Sequence, residues 1–486
     1  MAATHGGELT LGRSLLRKGR RRVTEPFAGN TAETSDSGTV STKQERIAAL
    51  ARQSPGMAFT SLNHHLDLRW LWTACLRTRR DAATGVDGKT WDEYYDDVQA
   101  NLGSLLERAK SGRYFAPPVR RMYIAKAGSA TETRPIGIPT IEDKVLQRAV
   151  VMLLEPIYEQ DFHDGSYGYR PGRSAHQALD ALRETLLQTG GGWVLEVDIS
   201  KFFDSLDHAR LREFLQRRVR DGVLLRLIGK WLNAGVLEDG SIHYPELGSP
   251  QGGVFCRRQT ANTVPLLANI YLHYVLDEWF ADEIEPTLRG RARLVRFADD
   301  FVIAFTNESD ARRIHAALAE RFAAFGLTLH PDKTRLLDFR HPSHGGRRSS
   351  PRRPETFDLL GFTVYWGRTH RGGWTVKTRT AASRLRRSLR SLNLWCRQHR
   401  HAPIPQQHGV LVRKLRGHYQ YFGRIGNYDA LARYARLVTK LWHKWLSRRS
   451  WKAYFNWRDF RRLLLRHPLP PPRITARASP AGEPAT

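Results

Sequence analysis

Two adjacent acids, Asp299 and Asp300, constrain the fold of this chain more than any other feature, because they separate two apolar runs. Residues 294–297 precede the acids and residues 301–305 follow them, and both runs are rich in side chains that favour β-strands. The pair therefore belongs at a hairpin tip or a strand end. Two like charges at such a place cost stability unless a cation lies between them. An isolated Asp-Asp pair is more often a solvated turn, so the rest of the chain has to decide.

A third carboxylate upstream favours a metal site. Residues 193–199 alternate between apolar and polar side chains, which predicts a strand with Glu196 and Asp198 on one face. Mg²⁺ prefers oxygen ligands and usually takes one or two carboxylates plus substrate phosphates. Two ions about 4 Å apart can stabilise both the attacking and the leaving oxygen of a phosphoryl transfer. We therefore expect Asp198, Asp299 and Asp300 to be catalytic ligands of two Mg²⁺ ions.

Six blocks in a fixed order resemble those of group II intron reverse transcriptases with maturase activity. They are RPIGIP at 134–139, YGYRPGRS at 167–174, residues 198–204, PQGG at 250–253, FADD at 297–300 and LLGF at 359–362. Residues 418–423 and 442–446 resemble the thumb or maturase region of the same family. The resemblance implies an α+β fold, with the fingers and palm of a right-hand polymerase followed by a helical thumb/maturase domain.

The same resemblance implies roles in nucleotide binding. Phe203 would be the steric gate that excludes a ribose 2′-hydroxyl, although a plain core aromatic is the alternative. Lys126 and Arg134 would neutralise the triphosphate from a fingers hairpin. Gln251 would contact the incoming nucleotide, and Lys333 would be a general acid for the departing pyrophosphate. For each lysine, simple solvent exposure is the competing interpretation.

The predicted function is RNA-directed DNA polymerisation, together with binding of group II intron RNA and assistance to its splicing and mobility. A DNA primer 3′-hydroxyl would attack the α-phosphate of a dNTP, and the primer or target DNA would be a partner. Two alternatives stay open. The chain could be an RNA-binding splicing maturase with impaired polymerisation, or a reverse transcriptase adopted for defence.

Charge agrees with a polyanionic partner. The chain has 77 Lys and Arg against 48 Asp and Glu, a formal charge of +29, as expected of a protein that neutralises many phosphates. The sequence contains no apolar run long enough for a membrane span and no secretory signal pattern, so we expect no membrane partner and a cytoplasmic, nucleoid-associated location in a bacterium. The three cysteines form no CxxC pair, which argues against a disulfide framework and a cysteine zinc site.

Composition and periodicity divide the chain into five regions. They are a disordered basic arm at 1–45, a helical extension at 46–85, fingers and palm at 86–365, the helical thumb/maturase domain at 366–472 and a disordered tail at 473–486.

One helix of the thumb region is predicted to have a basic outer face for RNA binding. Its cations are Arg433, Arg436, Lys440 and Lys444. Tyr419 and Tyr421 are candidate exposed rings for stacking on unpaired bases.

One segment departs from the family pattern. About eight extra residues, Cys256 to Thr263, separate PQGG from the next predicted helix, a length that costs little in loop-closure entropy. A shift of about 1 Å in a catalytic pocket can nevertheless cost on the order of a hundredfold in rate. Whether the insertion impairs polymerisation stays open.

Overall fold

Helices form the first part of the structure. The computed structural model describes residues 39–125, 133–238, 241–244, 263–342, 354–450 and 455–475. The first helices are α1 (Val40–Gln53), α2 (Leu68–Leu76), α3 (Trp91–Asp96) and α4 (Val98–Ser111). Helix α1 contains residues 40–45 of the predicted disordered arm, because the Thr39 side chain caps the helix by accepting from the Thr42 amide. Residues 1–38 of that arm lie outside the described residues.

A strand hairpin and two long helices follow. They are β1 (Val119–Ala125), β2 (Thr133–Ile138), α5 (Ile141–Asp161) and α6 (Ala175–Gln188). Helix α5 buries residues around most of its circumference and packs against α1 and α2, so it is a central helix of the core. Arg134 lies in β2 opposite Ile124, whereas Lys126, just beyond β1, lies outside the described residues.

The segment that carries Asp198 comes next. It comprises β3 (Trp193–Val197), β4 (Ile199–Ser200), α7 (His208–Arg218), α8 (Gly222–Leu232), β5 (Val236–Glu238), β6 (Ser241–His243) and α9 (Thr263–Leu272). The first sheet has the order β2-β1-β5-β6. Gln251 and the predicted insertion lie outside the described residues, apart from Thr263, which begins α9.

The acidic hairpin is present and belongs to a four-stranded sheet. The elements of this part are β7 (Ala292–Phe297), β8 (Asp300–Phe305), α10 (Glu308–Ala324), β9 (Thr328–Leu329) and β10 (Arg335–Asp338). The central sheet has the order β10-β3-β8-β7, and all its neighbouring strands are antiparallel. Helices α6 and α10 pack against its strands. This sheet confirms the predicted α+β palm.

A third sheet extends beyond the predicted limit of the palm at residue 365. Its antiparallel strands are β11 (Phe357–Leu359), β12 (Phe362–Arg368) and β13 (Trp374–Thr380). Residue 365 falls inside β12. The third sheet shares an apolar core with α6 and the central sheet, in which Phe339, Phe357 and Trp366 pack together.

A helical bundle ends the described chain. Its helices are α11 (Ala382–Gln398), α12 (Ile404–Phe422), α13 (Tyr428–Leu446) and α14 (Trp457–Arg466), and Leu415, Trp442 and Phe460 are buried between them. The proline-rich residues after α14 are ordered to Thr475, whose amide donates to the Gly423 carbonyl at 2.8 Å. The predicted disordered tail therefore begins too early, and residues 476–486 lie outside the described residues.

Candidate active site

Strand register brings the three predicted acids to one end of the central sheet. Val197 of β3 pairs with Phe301 of β8, so Asp198 follows at the sheet end where Asp300 begins β8. Phe297 pairs with Asp300 across the hairpin, which leaves Asp299 in the two-residue turn. Each of the three acids is partly exposed. Asp198 and the two adjacent acids, although far apart in sequence, therefore lie at the same accessible end of the central sheet.

The turn that carries Asp299 has a strained backbone. Ala298 has φ 57°, in the left-handed region that residues with a Cβ seldom adopt, and it is 3% exposed. Gly168 lies directly behind it: a Cβ added to that glycine would come within 2.2 Å of the Ala298 nitrogen. The YGYR block thus supplies a glycine because the backbone of the acidic turn needs the space.

A buried polar network holds the same turn, and sequence reasoning missed it. Arg296 of β7 is fully buried and makes an ion pair with Asp277, with Nε 2.8 Å from Oδ1. Its Nη1 donates to the Asn269 side chain at 3.1 Å and to the Ala298 carbonyl at 3.2 Å. The available signal was an arginine inside an apolar strand, since a charge at such a position requires a partner.

Lys333 contacts the first acid directly. Its ammonium lies 2.7 Å from Asp198 Oδ2, and its side chain is 58% exposed. The Lys333 loop is held in place because the His330 amide donates to the Asp198 carbonyl at 2.8 Å. The neighbouring Glu196 of β3 makes an ion pair with Arg335 of the adjacent strand β10, and burial raises the pKa of the Glu196 carboxyl. Lys333 therefore lies at the site, while Glu196 has a partner of its own.

Phe203 and Phe202 have different surroundings. Both belong to a short 3₁₀ turn after β4, and their rings meet edge to face with centroids 5.0 Å apart. Phe202 is 2% exposed and supplies the core contact, whereas Phe203 is partly exposed. The two neighbouring rings therefore differ in their exposure.

The donor set at the sheet end suits a hard divalent cation. Asp198, Asp299 and Asp300 offer carboxylate oxygens, the ligands that Mg²⁺ prefers. Among the residues that the structure describes, no group of three or more His, Cys, Asp or Glu side chains is arranged to hold a metal ion, and the three acids are therefore not a preformed metal site. Mg²⁺ usually completes its coordination with substrate phosphates and water, so a partial protein ligand set fits such an ion.

The basic face of α13 is exposed as the helical pattern predicts. Arg433, Arg436, Lys440 and Lys444 are all exposed. Trp442 and Leu446 are the most buried apolar residues of its last two turns, and Leu441 and Trp445 are partly buried beside them.

Tyr419 is not an exposed stacking ring. It is 3% exposed, and its hydroxyl donates to the Pro470 carbonyl at 3.1 Å. Tyr421 is partly buried and donates to the Leu360 carbonyl at 2.8 Å. The proline-rich segment that covers Tyr419 explains the error, because a sequence pattern within α12 does not reveal what packs on it.

An antiparallel sheet with acids at one end, flanked by helices and followed by a helical bundle, is the arrangement of a right-hand polymerase. Residues 124–364 match the family model described as "Reverse transcriptase (RNA-dependent DNA polymerase)". The chain is similar to the group II intron-encoded protein LtrA of Lactococcus lactis subsp. cremoris, with 38% identity over 233 residues, 47% of this chain and 37% of that protein. It is also similar to protein YkfC of Escherichia coli (strain K12), with 33% identity over 298 residues, 54% of this chain and 75% of that protein. A 91 kDa protein in the cob intron of Schizosaccharomyces pombe is 33% identical over 236 residues, 49% of this chain and 26% of that protein.

The chain belongs to the reverse transcriptase family, among the proteins of the group II intron reverse transcriptase/maturase type. It spans just over a third of the length of the first of these relatives. In the described part of the chain, no helix is long and apolar enough to cross a bilayer.

Proposed function

We propose that this chain is an RNA-directed DNA polymerase that also binds group II intron RNA and assists its splicing and mobility. The observation that carries the proposal is the convergence of Asp198, Asp299 and Asp300 at one end of the central sheet, within a chain of this family. In their names, two relatives are an intron-encoded protein and a nuclear intron maturase of Arabidopsis thaliana, which supports intron RNA as the partner.

The proposed chemistry joins a primer 3′-hydroxyl to the α-phosphate of a dNTP and releases pyrophosphate. Asp198, Asp299 and Asp300 would hold two Mg²⁺ ions, which supply charge stabilisation at the attacking and leaving oxygens when bound. Lys333, whose ammonium lies 2.7 Å from Asp198 Oδ2, would give a proton to the departing pyrophosphate.

Other side chains of the chain would select and orient the nucleotide. The partly exposed ring of Phe203 would meet the sugar and exclude a 2′-hydroxyl. Arg134 and Lys126 would neutralise the triphosphate, and Gln251 would contact the nucleotide. The exposed cations of α13 would bind intron RNA through its phosphates.

The decisive experiment separates metal chemistry from RNA binding. Asp299→Ala should abolish extension of a DNA primer on an RNA template with Mg²⁺, while binding of intron RNA by the same protein stays unchanged. Asp96→Ala, which removes an exposed acid of α3, is the matched control and should extend at the wild-type rate. Extension by the Asp299 variant at the wild-type rate would exclude Asp299 from the site.

A further inference from the structure

The charged groups behind the acidic turn are costly to bury. Arg296 is 0% exposed and Asp277 is 2% exposed. Removing two ions from water is costly, and replacing a buried ion pair with apolar residues of similar volume is often neutral or stabilising. The presence of this ion pair is therefore no strong sign that it stabilises the fold, and its geometry points to another role.

The hydrogen bonds of this network connect it to the acidic turn and to Gly168, which lies behind the turn. Arg296 donates to the Ala298 carbonyl, one residue before Asp299. Asn269 accepts from the same guanidinium and donates through Nδ2 to the Gly168 carbonyl at 2.6 Å. Gly168 in turn packs on the Ala298 nitrogen. Arg296 thus donates to the carbonyl of the strained residue, and Asn269 donates to the carbonyl of the glycine that lies close to its nitrogen.

The helix that supplies Asn269 and Asp277 is adapted to this task. The two residues are eight positions apart, which in a regular α-helix places them about 80° out of line. A π-helical stretch, His273–Asp277, follows α9 and has more residues per turn. The wider turn brings Asp277 back toward the face of Asn269, so both side chains reach one guanidinium. Such π segments are frequent at functional sites.

We propose that Arg296, Asp277 and Asn269 are positioning residues that hold the Ala298–Asp299 turn in its left-handed conformation and so place the catalytic carboxylates. The proposal rests on the proposed polymerase function for its kinetic consequence, but its structural consequence can be measured without activity. Held by a rigid network, Asp299 and Asp300 would not need to reorganise when substrate binds.

The test removes the network without leaving an unpaired charge. In the full chain, Arg296→Met combined with Asp277→Leu should keep the wild-type midpoint of urea unfolding. The kcat for primer extension should fall about a hundredfold, the effect of a displacement of about 1 Å, while the KM for dNTP changes little. Amide hydrogen exchange in residues 294–303 should rise, because the turn loses the partner of its carbonyl.

A second ion pair, with a buried arginine and a partly exposed aspartate, provides the control. Arg218 is 3% exposed, and its Nε lies 2.9 Å from Asp161 Oδ2. Both residues are far from the acidic turn in sequence. Arg218→Met with Asp161→Leu should leave kcat and exchange in residues 294–303 unchanged. If the Arg296 double variant does not fold, Asn269→Ala takes its place, with kcat expected to fall about tenfold because one arm of the network remains.

The two proposals fail in different ways. A wild-type protein that never extends a primer refutes the polymerase function, and the exchange measurement still decides the positioning role. A folded double variant with wild-type kcat and wild-type exchange in the turn overturns the positioning role while leaving the polymerase function intact. A low kcat with exchange raised only in residues 294–303 supports both.

Discussion

At the scale of single residues, a substitution at Phe203 can distinguish a role in sugar selection from a role in core packing. Removing its ring in Phe203→Ala should raise the ratio of rNTP to dNTP incorporation about tenfold or more, since about 1.4 kcal/mol of discrimination corresponds to that factor. Phe202 keeps the core contact, so stability should change little. Primer extension with each nucleotide measures the ratio. Phe203→Tyr keeps a ring and should keep the discrimination; an unaltered ratio in the alanine variant would make the ring a packing residue only.

His418 is a buried residue whose titration links stability to pH. It is 8% exposed, its ring stacks on Tyr434 with centroids 3.7 Å apart, and burial lowers its pKa from 6.5 to about 4. The unfolded chain therefore binds a proton below pH 6.5 that the folded chain does not accept until about pH 4. This contribution to stability is complete above pH 6.5 and is lost as the pH falls toward 4.

The expected size can be checked by urea unfolding. Between about pH 7.5 and about pH 5, the wild-type protein should lose about 1–2 kcal/mol more unfolding free energy than His418→Phe, which keeps the stacked ring without the titration. His370→Gln, at an exposed position, should show the wild-type pH dependence. Equal slopes for the wild type and His418→Phe would mean that the pKa of His418 is the same in the folded and the unfolded chain.

At the scale of one element, the outer face of α13 is a test of RNA binding. Changing Arg433, Arg436, Lys440 and Lys444 together to Gln should weaken intron RNA binding. Each lost phosphate contact should lower the slope of log affinity against log salt by somewhat less than about one unit. These side chains are exposed, so the fold should be unaffected.

The control for this element removes positive charge from a different surface of the protein. Arg312→Gln with Arg313→Gln removes two exposed cations from α10, outside the proposed RNA surface. Its salt slope should stay at the wild-type value. If the α13 variant also retains the wild-type affinity and slope, that face is only solvated surface.

At the scale of the whole molecule, the insertion decides between polymerase and pure maturase. Removing residues 256–262 leaves α9 intact, because that helix begins at Thr263. If the insertion is an extruded loop, the native protein extends a primer and the deletion changes its rate little. If it displaces the Gln251 region, the deletion should raise extension about tenfold or more, corresponding to about 1.4 kcal/mol of barrier. Extension and intron splicing are measured for both proteins, and a native chain that splices without extending would favour the maturase.

The sequence by itself determined the acidic hairpin, the strand before Asp198 and the exposed cations of α13. Each follows from local periodicity, because side chains point to the same face every two residues in a strand and about every 3.6 residues in a helix. The six ordered blocks likewise indicate the α+β polymerase fold.

Only the tertiary structure decided which distant residues meet. Lys333 reaches Asp198, Arg296 pairs with Asp277, and Pro470 covers Tyr419. None of these contacts follows from periodicity, which says which face of an element is buried but not what lies against it. Chain packing alone gives a buried arginine its partner, and therefore only the folded molecule revealed what holds the acidic turn.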